Sequence, residues 1–234
     1  MVKSVLSIDF DYIMFPCIKL YNDLSSGGEN STVIWNNIEH FRGVDDKFLS
    51  YDPESYITIA KLLKSLDNDT KKIAISEHQS IVDILIKDEN SIEHDIDEIY
   101  ESWKFNLINI DFHHDIIYRP QDRNTIKNFD KYNCSNWVGY LMLKNKIENY
   151  TWIKAPNSDL YDHNLDGKYD IKFETESMRL VENIQEFIDN NKFDYVFLCL
   201  SPQWVPYKFK HLYDLLVELF DFRKEWYYEC YVCC

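Results

Sequence analysis

Apolar positions along the chain follow two periods. Val5-Leu6-Ser7-Ile8, Ile73-Ala74-Ile75, Leu107-Ile108-Asn109-Ile110 and Tyr195-Val196-Phe197-Leu198 are near-continuous runs rather than alternating ones, the pattern of strands buried on both faces. Between them, Ile57, Ala60, Leu63 and Leu66 recur at helical spacing, as do Leu212, Leu215, Leu216 and Leu219. Short apolar strands alternating with amphipathic helices predict an α/β fold, with a mostly parallel sheet covered on both faces. Asp52-Pro53 sets a capping residue before a proline at the first helical position, a start signal for the helix beyond. Two polar stretches, Ser25 to Ser31 and Ala155 to Gly167, read as loops. In the second, Asp162-His-Asn164-Leu-Asp166-Gly167 imitates the opening of a calcium loop, but its twelfth position is Phe173, with Glu174 one place late. Without the closing acid the motif is not a calcium site.

Composition narrows the picture. With 234 residues, 45% hydrophobic and 28% charged, residues 1–234 are expected to form a single domain. The formal net charge of -15 argues against nucleic acid as a partner and favours cations. No run is long enough to span a membrane and no signal peptide precedes the first strand, so a cytoplasmic protein is expected. Cys17, Cys134 and Cys199 then read as reduced thiols. The tail Cys230-Tyr-Val-Cys233-Cys234 has no second pair to complete a zinc site and reads as non-catalytic.

The chemistry sits where three predicted strands end. The first closes on Asp9-Phe10-Asp11, the second on Glu77-His78, the third on Asp111-Phe112-His113-His114-Asp115. Ligands of parallel α/β proteins bind beyond the carboxyl ends of the strands. In an extended Asp-x-His-x-Asp segment alternate side chains share a side, so Asp111, His113 and Asp115 are expected to converge while His114 faces away. Asp9, Asp11, His78, Asp111, His113 and Asp115 offer four carboxylates and two imidazoles without a thiolate. That set suits manganese or a similar borderline-hard ion, and its charge balances two divalent cations. Two such ions together hold and polarise a water for attack on an electrophilic carbon or phosphorus.

These residues resemble the arginase (ureohydrolase) family, which builds a dimanganese site from a strand-end histidine, an Asp-x-His-x-Asp segment and an Asp-x-Asp segment. Here the matches are His78, then Asp111, His113 and Asp115, then Asp9 and Asp11. The Asp-x-Asp segment opens the chain instead of following the others. That order resembles a circularly permuted branch that includes peptide arginases, as does Ser201-Pro202-Gln203-Trp204-Val205-Pro206. The resemblance implies a three-layer arginase/deacetylase-like fold. It also implies two Mn2+ ions and hydrolysis of arginine, within a ribosomally made peptide, to ornithine and urea. By the same resemblance Asp9 and Asp111 bridge the ions, His78 and Asp115 complete one shell, and His113 and Asp11 the other. Asp115 is the catalytic base, Glu54 grips the guanidinium, with Glu39 next in line, and Asn136 orients substrate. The family's catalytic histidine has no counterpart in Cys134-Ser135-Asn136-Trp137-Val138-Gly139, leaving His40 and His114 as candidate proton shuttles.

Three other readings remain open: a metal-dependent deacetylase on the same fold, a haloacid-dehalogenase-type phosphatase using Asp9 and Asp11, and a metal-binding protein without turnover. The deacetylase needs a tandem histidine pair that Glu77-His78-Gln79 does not supply. The phosphatase leaves Asp111, His113 and Asp115 unexplained.

Overall fold

The computed structural model describes residues 1–14, 50–90, 103–117, 124, 126–128, 131–156, 158, 178–187 and 192–225. The Ser25–Ser31 loop, Cys17, Glu39, His40, most of the Ala155–Gly167 stretch and the Cys230–Cys234 tail lie outside them. The described strands form one parallel sheet: β1 (Val2–Asp9), β2 (Lys71–Ile75), β3 (Lys104–Asp111), β4 (Ile147–Lys154), β5 (Met178–Val181), β6 (Tyr195–Cys199) and β7 (Arg223–Lys224). Their order is β5-β4-β3-β1-β6-β2-β7. The protein is therefore α/β, as the apolar runs predict. All four runs lie within β1, β2, β3 and β6, the strands at the centre.

Helices cover both faces. On one side α1 (Pro53–Lys64) and α4 (Lys210–Leu219) pack Ile59, Leu62, Leu63, Tyr213, Leu216 and Val217 against Leu6, Ile8, Ile110 and Leu198. On the other, α2 (Ser80–Asn90) and α3 (Trp137–Leu143) bring Ile81, Val82, Leu85, Trp137, Val138 and Leu141 to Val5, Leu107, Tyr150 and Phe197. Asp52 caps α1 as predicted, accepting from the Glu54 N–H at 3.0 Å, with Pro53 in the first turn. The predicted stripes are rotated by about one residue. Ile57, Leu215 and Leu219 are 50% or more exposed, while Ile59, Leu62, Tyr213 and Val217 are buried. In both helices leucines and isoleucines sit on two faces, and the sheet receives the face that also carries Tyr213 and Ile59. No helix among the described residues is long and apolar enough to cross a membrane.

Register positions the chemistry. Ile8 stands beside Ile110, Asp9 beside Cys199, and Cys199 beside Ile75. In parallel strands in register, residues at equal height share a face. Asp9, Asp111 and Cys199 therefore leave the carboxyl edge on one side, at the level from which the chain runs on to His78. At this edge the chain leaves central β1 in one direction for β2 and, after β3, continues in the other through β4 and β5, a topological switch of the kind that forms a crevice.

Candidate metal centre

Each candidate ligand arrives by a different local device. Asp9 ends β1 and caps the following 3-10 turn, Phe10–Ile13, its Oδ1 accepting from the Asp11 N–H at 3.0 Å. That turn swings Asp11 back under the strand end. His78 lies in the tight turn before α2, where its carbonyl accepts from the Ile81 N–H at 2.9 Å. Ser7 Oγ lies 3.2 Å from His78 Nε2. This hydrogen bond turns Nδ1 toward the carboxylates.

The Asp-x-His-x-Asp segment converges, but not by strand alternation. β3 stops at Asp111, and Asp115 has φ of 51°, a left-handed conformation that non-glycine residues rarely adopt. The chain bends after Asp111, and that backbone turn brings the last carboxylate round. Ser201, whose φ is 46°, does the same after β6, donating its Oγ–H to Asp9 Oδ2 at 2.5 Å. Strain at non-glycine residues that aim side chains into one cluster is characteristic of functional sites. His114 faces away as predicted. Its Nδ1 accepts from the Ile116 N–H at 3.1 Å, its ring meets Trp152 edge-on, and burial pushes it down to about 4. It is a neutral structural histidine and does not line the cavity described below.

All six predicted ligands come together, and five of them are almost wholly buried; His113 is 21% exposed. His78 Nδ1 lies 2.9 Å from Asp115 Oδ2 and 3.4 Å from Oδ2 of both Asp9 and Asp111. His113 Nδ1 lies 3.0 Å from Asp11 Oδ2 and 3.7 Å from Asp111 Oδ1. Asp11, Asp111 and His113 form one group able to hold a metal ion, and His78, Asp111 and Asp115 form another. Asp111 belongs to both. Metal–ligand bonds of about 2.0–2.2 Å put two ligands of one ion roughly 2.8–3.6 Å apart in octahedral or tetrahedral geometry, and these separations, 2.9 to 3.7 Å, lie within about 0.1 Å of that range. Asp11 Oδ2 is moreover buried with no well-aligned hydrogen bond, the His113 imidazole 3.0 Å away serving as an ion-pair partner. A buried carboxylate oxygen needs a cation beside it, a role that a divalent metal would fill. The residues fit divalent metal.

The titration pattern says the same. Burial and the neighbouring Asp11 charge raise Asp9 to about 7. Burial, with the charges of Asp115, Asp11 and Asp9, holds Asp111 well above the carboxylate range. Burial would lower His78, but Asp9, Asp115 and Asp111 outweigh it and lift it to about 10. His113 is likewise driven up by Asp11 and Asp111 against its burial. For Asp115, His78, His113 and the Trp137 hydrogen bond overcome burial and lower it. Without metal, the crowding of the carboxylates is relieved by protons held on Asp9, Asp111 and the two imidazoles.

A cavity of ≈ 40 Å³ opens onto Asp9, His78, His113 and Asp115. Its remaining wall is Cys134, Ser135, Ser201, Gln203 and Trp204, none of them charged in the ordinary state. Trp204 also packs on His113, ring centroids 5.2 Å apart. The Ser201–Trp204 segment flagged in the sequence thus belongs to the site. Asn136 does not line the cavity; it is buried, its Oδ1 accepting from the Asn133 N–H at 2.9 Å, and its neighbours Cys134 and Ser135 face the space instead. Glu54 is exposed at the start of α1, outside the cavity wall. α1 is nonetheless tied to the Asp11 turn, since the Asp52 N–H donates to Ile13 O at 2.7 Å. Cys199 is the residue that sequence reasoning missed: it forms a third group with Asp9 and His78. Only the strand register, not its local sequence, could have flagged it.

Gly139 fixes the back of the site. A Cβ there would stand 2.0 Å from Ile116 O, so α3 presses directly on the segment that follows Asp115. Gly139→Ala is expected to cost about 1–3 kcal/mol of stability through overpacking and to weaken metal binding with it. Thermal melts with and without metal, and metal titration, check both effects; an unchanged melt would show that the loop yields freely. Comparison with protein-family models, curated proteins and solved structures gave no match, so the functional reading rests on the geometry of this cluster and on the residues that line it.

Proposed function

We propose that this chain is a metal-dependent hydrolase of C–N bonds, of arginase type, using two divalent ions, manganese foremost. Its substrate on this reading is an arginine side chain within a peptide, released as ornithine and urea. One observation carries the reading. Asp111 points its Oδ1 toward His113 and its Oδ2 toward His78, so it and the two histidines are the residues that would hold the metal. Bound divalent metal supplies a water activated near neutral pH. The chain's own residues do the rest. Asp115, lining the cavity and fixed by His78 and Trp137, would serve as the base that accepts a water proton and passes it to the leaving nitrogen. Trp204, Ser135 and Gln203 bound the space that a planar guanidinium would occupy.

Peptide context is favoured by charge: a net charge of -15 draws basic peptides. The phosphatase alternative gives no task to His78 and His113, which stand inside the cluster. The test is to incubate manganese-loaded protein with free arginine and with end-blocked peptides carrying internal arginine, following urea and ornithine. Release from the peptides is expected; release from free arginine alone would refute the peptide assignment, and release from neither would refute the arginase reading.

The resemblance puts the guanidinium's carboxylate partner at Glu54. An exposed charge pair there is screened and weak, and Ser135 and Gln203 lie on the wall itself. Glu54→Gln is therefore expected to change kcat/KM by less than about fivefold, and Gln203→Ala by more. A loss near 100-fold in Glu54→Gln at normal metal content would return the grip to Glu54.

A further inference from the structure

Asp115 is held through its backbone and its side chain at once. Its backbone carbonyl accepts from the N–H groups of Val138, at 3.0 Å, and Gly139, at 3.3 Å. Its side chain Oδ2 accepts from the indole N–H of Trp137 at 2.7 Å. Three consecutive residues at the start of α3 thus grip one aspartate, backbone and side chain together. The lack of a side chain at Gly139 lets the helix come close enough to do so. The same Trp137 ring packs on His78, centroids 5.4 Å apart and tilted by 50°. It therefore touches both residues that join Asp111 in one half of the centre, whereas His113, in the other half, packs on Trp204.

A buried tryptophan needs an acceptor for its N–H, and a backbone carbonyl serves that need as well as a carboxylate. Trp152, as fully buried as Trp137, donates to the Asp111 carbonyl at 3.0 Å. Trp137 instead donates to a carboxylate oxygen that also faces His78 Nδ1 at 2.9 Å. Asp115 meanwhile sits at φ of 51°, a left-handed conformation that aspartate visits more readily than most L residues but that is uncommon without local contacts to hold it. Outer hydrogen-bond donors of this kind orient metal ligands, and their loss commonly lowers metal affinity by about 10–100-fold.

We propose that Trp137 is a positioning residue: its indole N–H, with the Val138 and Gly139 N–H groups, locks Asp115 in the left-handed conformation that presents its carboxylate to the His78 half of the metal centre. This rests on the metal-centre reading above and assigns one half of that centre its own support. The test replaces Trp137 by benzothienylalanine, which keeps the shape and substitutes sulfur for the N–H, alongside Trp137→Phe and the wild type. Manganese binding is followed by calorimetry, melting in the presence of chelator, and the indole N–H signal by NMR. In the wild type, the Trp137 signal, assigned by its absence from the Phe variant, should exchange slowly with solvent and move on loading with diamagnetic zinc. In the benzothienyl protein one manganese ion should bind about 10–100-fold more weakly. The other should stay within about threefold, and the chelated protein should melt near the wild type. Wild-type affinity at both positions in that protein, or weakening of both ions alike, would overturn the proposal. A wild-type chain that binds no metal, with its indole N–H still protected, would instead overturn the metal centre on which the assignment stands.

Discussion

Asp111→Asn is expected to strip metal from both positions while leaving the chain folded. Asp111 is fully buried, and its two oxygens face different histidines. The amide keeps the shape but turns one face of the group from acceptor to donor and removes a charge that two ions would share on the proposed reading. The loss should exceed the 10–100-fold typical of outer donors. The fold should tolerate the change because the carboxylate is costly without metal: burial and three neighbouring aspartates already push its proton affinity up. In chelator, Asp111→Asn should therefore melt no lower than wild type at neutral pH. Elemental analysis after manganese loading, with melting curves in chelator, checks both halves. Retention of one ion at wild-type affinity would show that the two groups do not share Asp111.

The central sheet was legible because burial on both faces forces apolar runs: Val5 to Ile8 and Tyr195 to Leu198 cannot be solvent-facing loops, and each is a strand core. β4, with Glu148, Asn149 and Thr151 among Tyr150, Trp152 and Ile153, was not, since one stretch of it is partly exposed and its pattern is mixed. β7, two residues at an edge, carries no periodic signal at all. Helix existence was readable at Asp52-Pro53, yet the buried face was misjudged. Ile57 and Leu219 are apolar enough to count in a periodicity but lie outside the contact with the sheet.

The cluster was legible residue by residue, because carboxylates and imidazoles at three strand ends have few other reasons to gather. What supports them was not. Trp137, Ser201 and Ser7 act through single hydrogen bonds made across more than twenty residues of sequence, and Cys199 enters only through its register beside Asp9. The expected alternation of Asp111, His113 and Asp115 gave the right convergence for the wrong reason. The strand ends at its first member, and a left-handed backbone at Asp115 completes the turn.

Metal should stabilise this protein increasingly as pH rises. In the metal-free chain His78 is raised to about 10 from 6.5. Its contribution to stability is fully present below pH 6.5 and is lost as pH climbs through about 10. Asp9, raised to about 7 from 3.8, works in the same direction, its folded-state proton lost as pH passes about 7. Asp115, lowered, has the opposite sign, but its contribution fades only in acid. Above pH 6.5 the chelated protein is thus progressively weakened by the charges of its own centre. Metal requires the same protons to leave, so its binding strengthens over the same range and releases the two imidazole protons at neutral pH, together with those held by Asp9 and Asp111. At about 100 times its dissociation constant a bound ion adds about 2.7 kcal/mol, which in a chain of this size is on the order of 5–10 °C in Tm. The measurement is the difference in Tm between manganese-loaded and chelated protein from pH 6 upward. Calorimetry in buffers of different ionisation enthalpy counts the protons. The gap should widen with pH. A gap that narrows, or loading without proton release, would mean that these six residues are not the ligands.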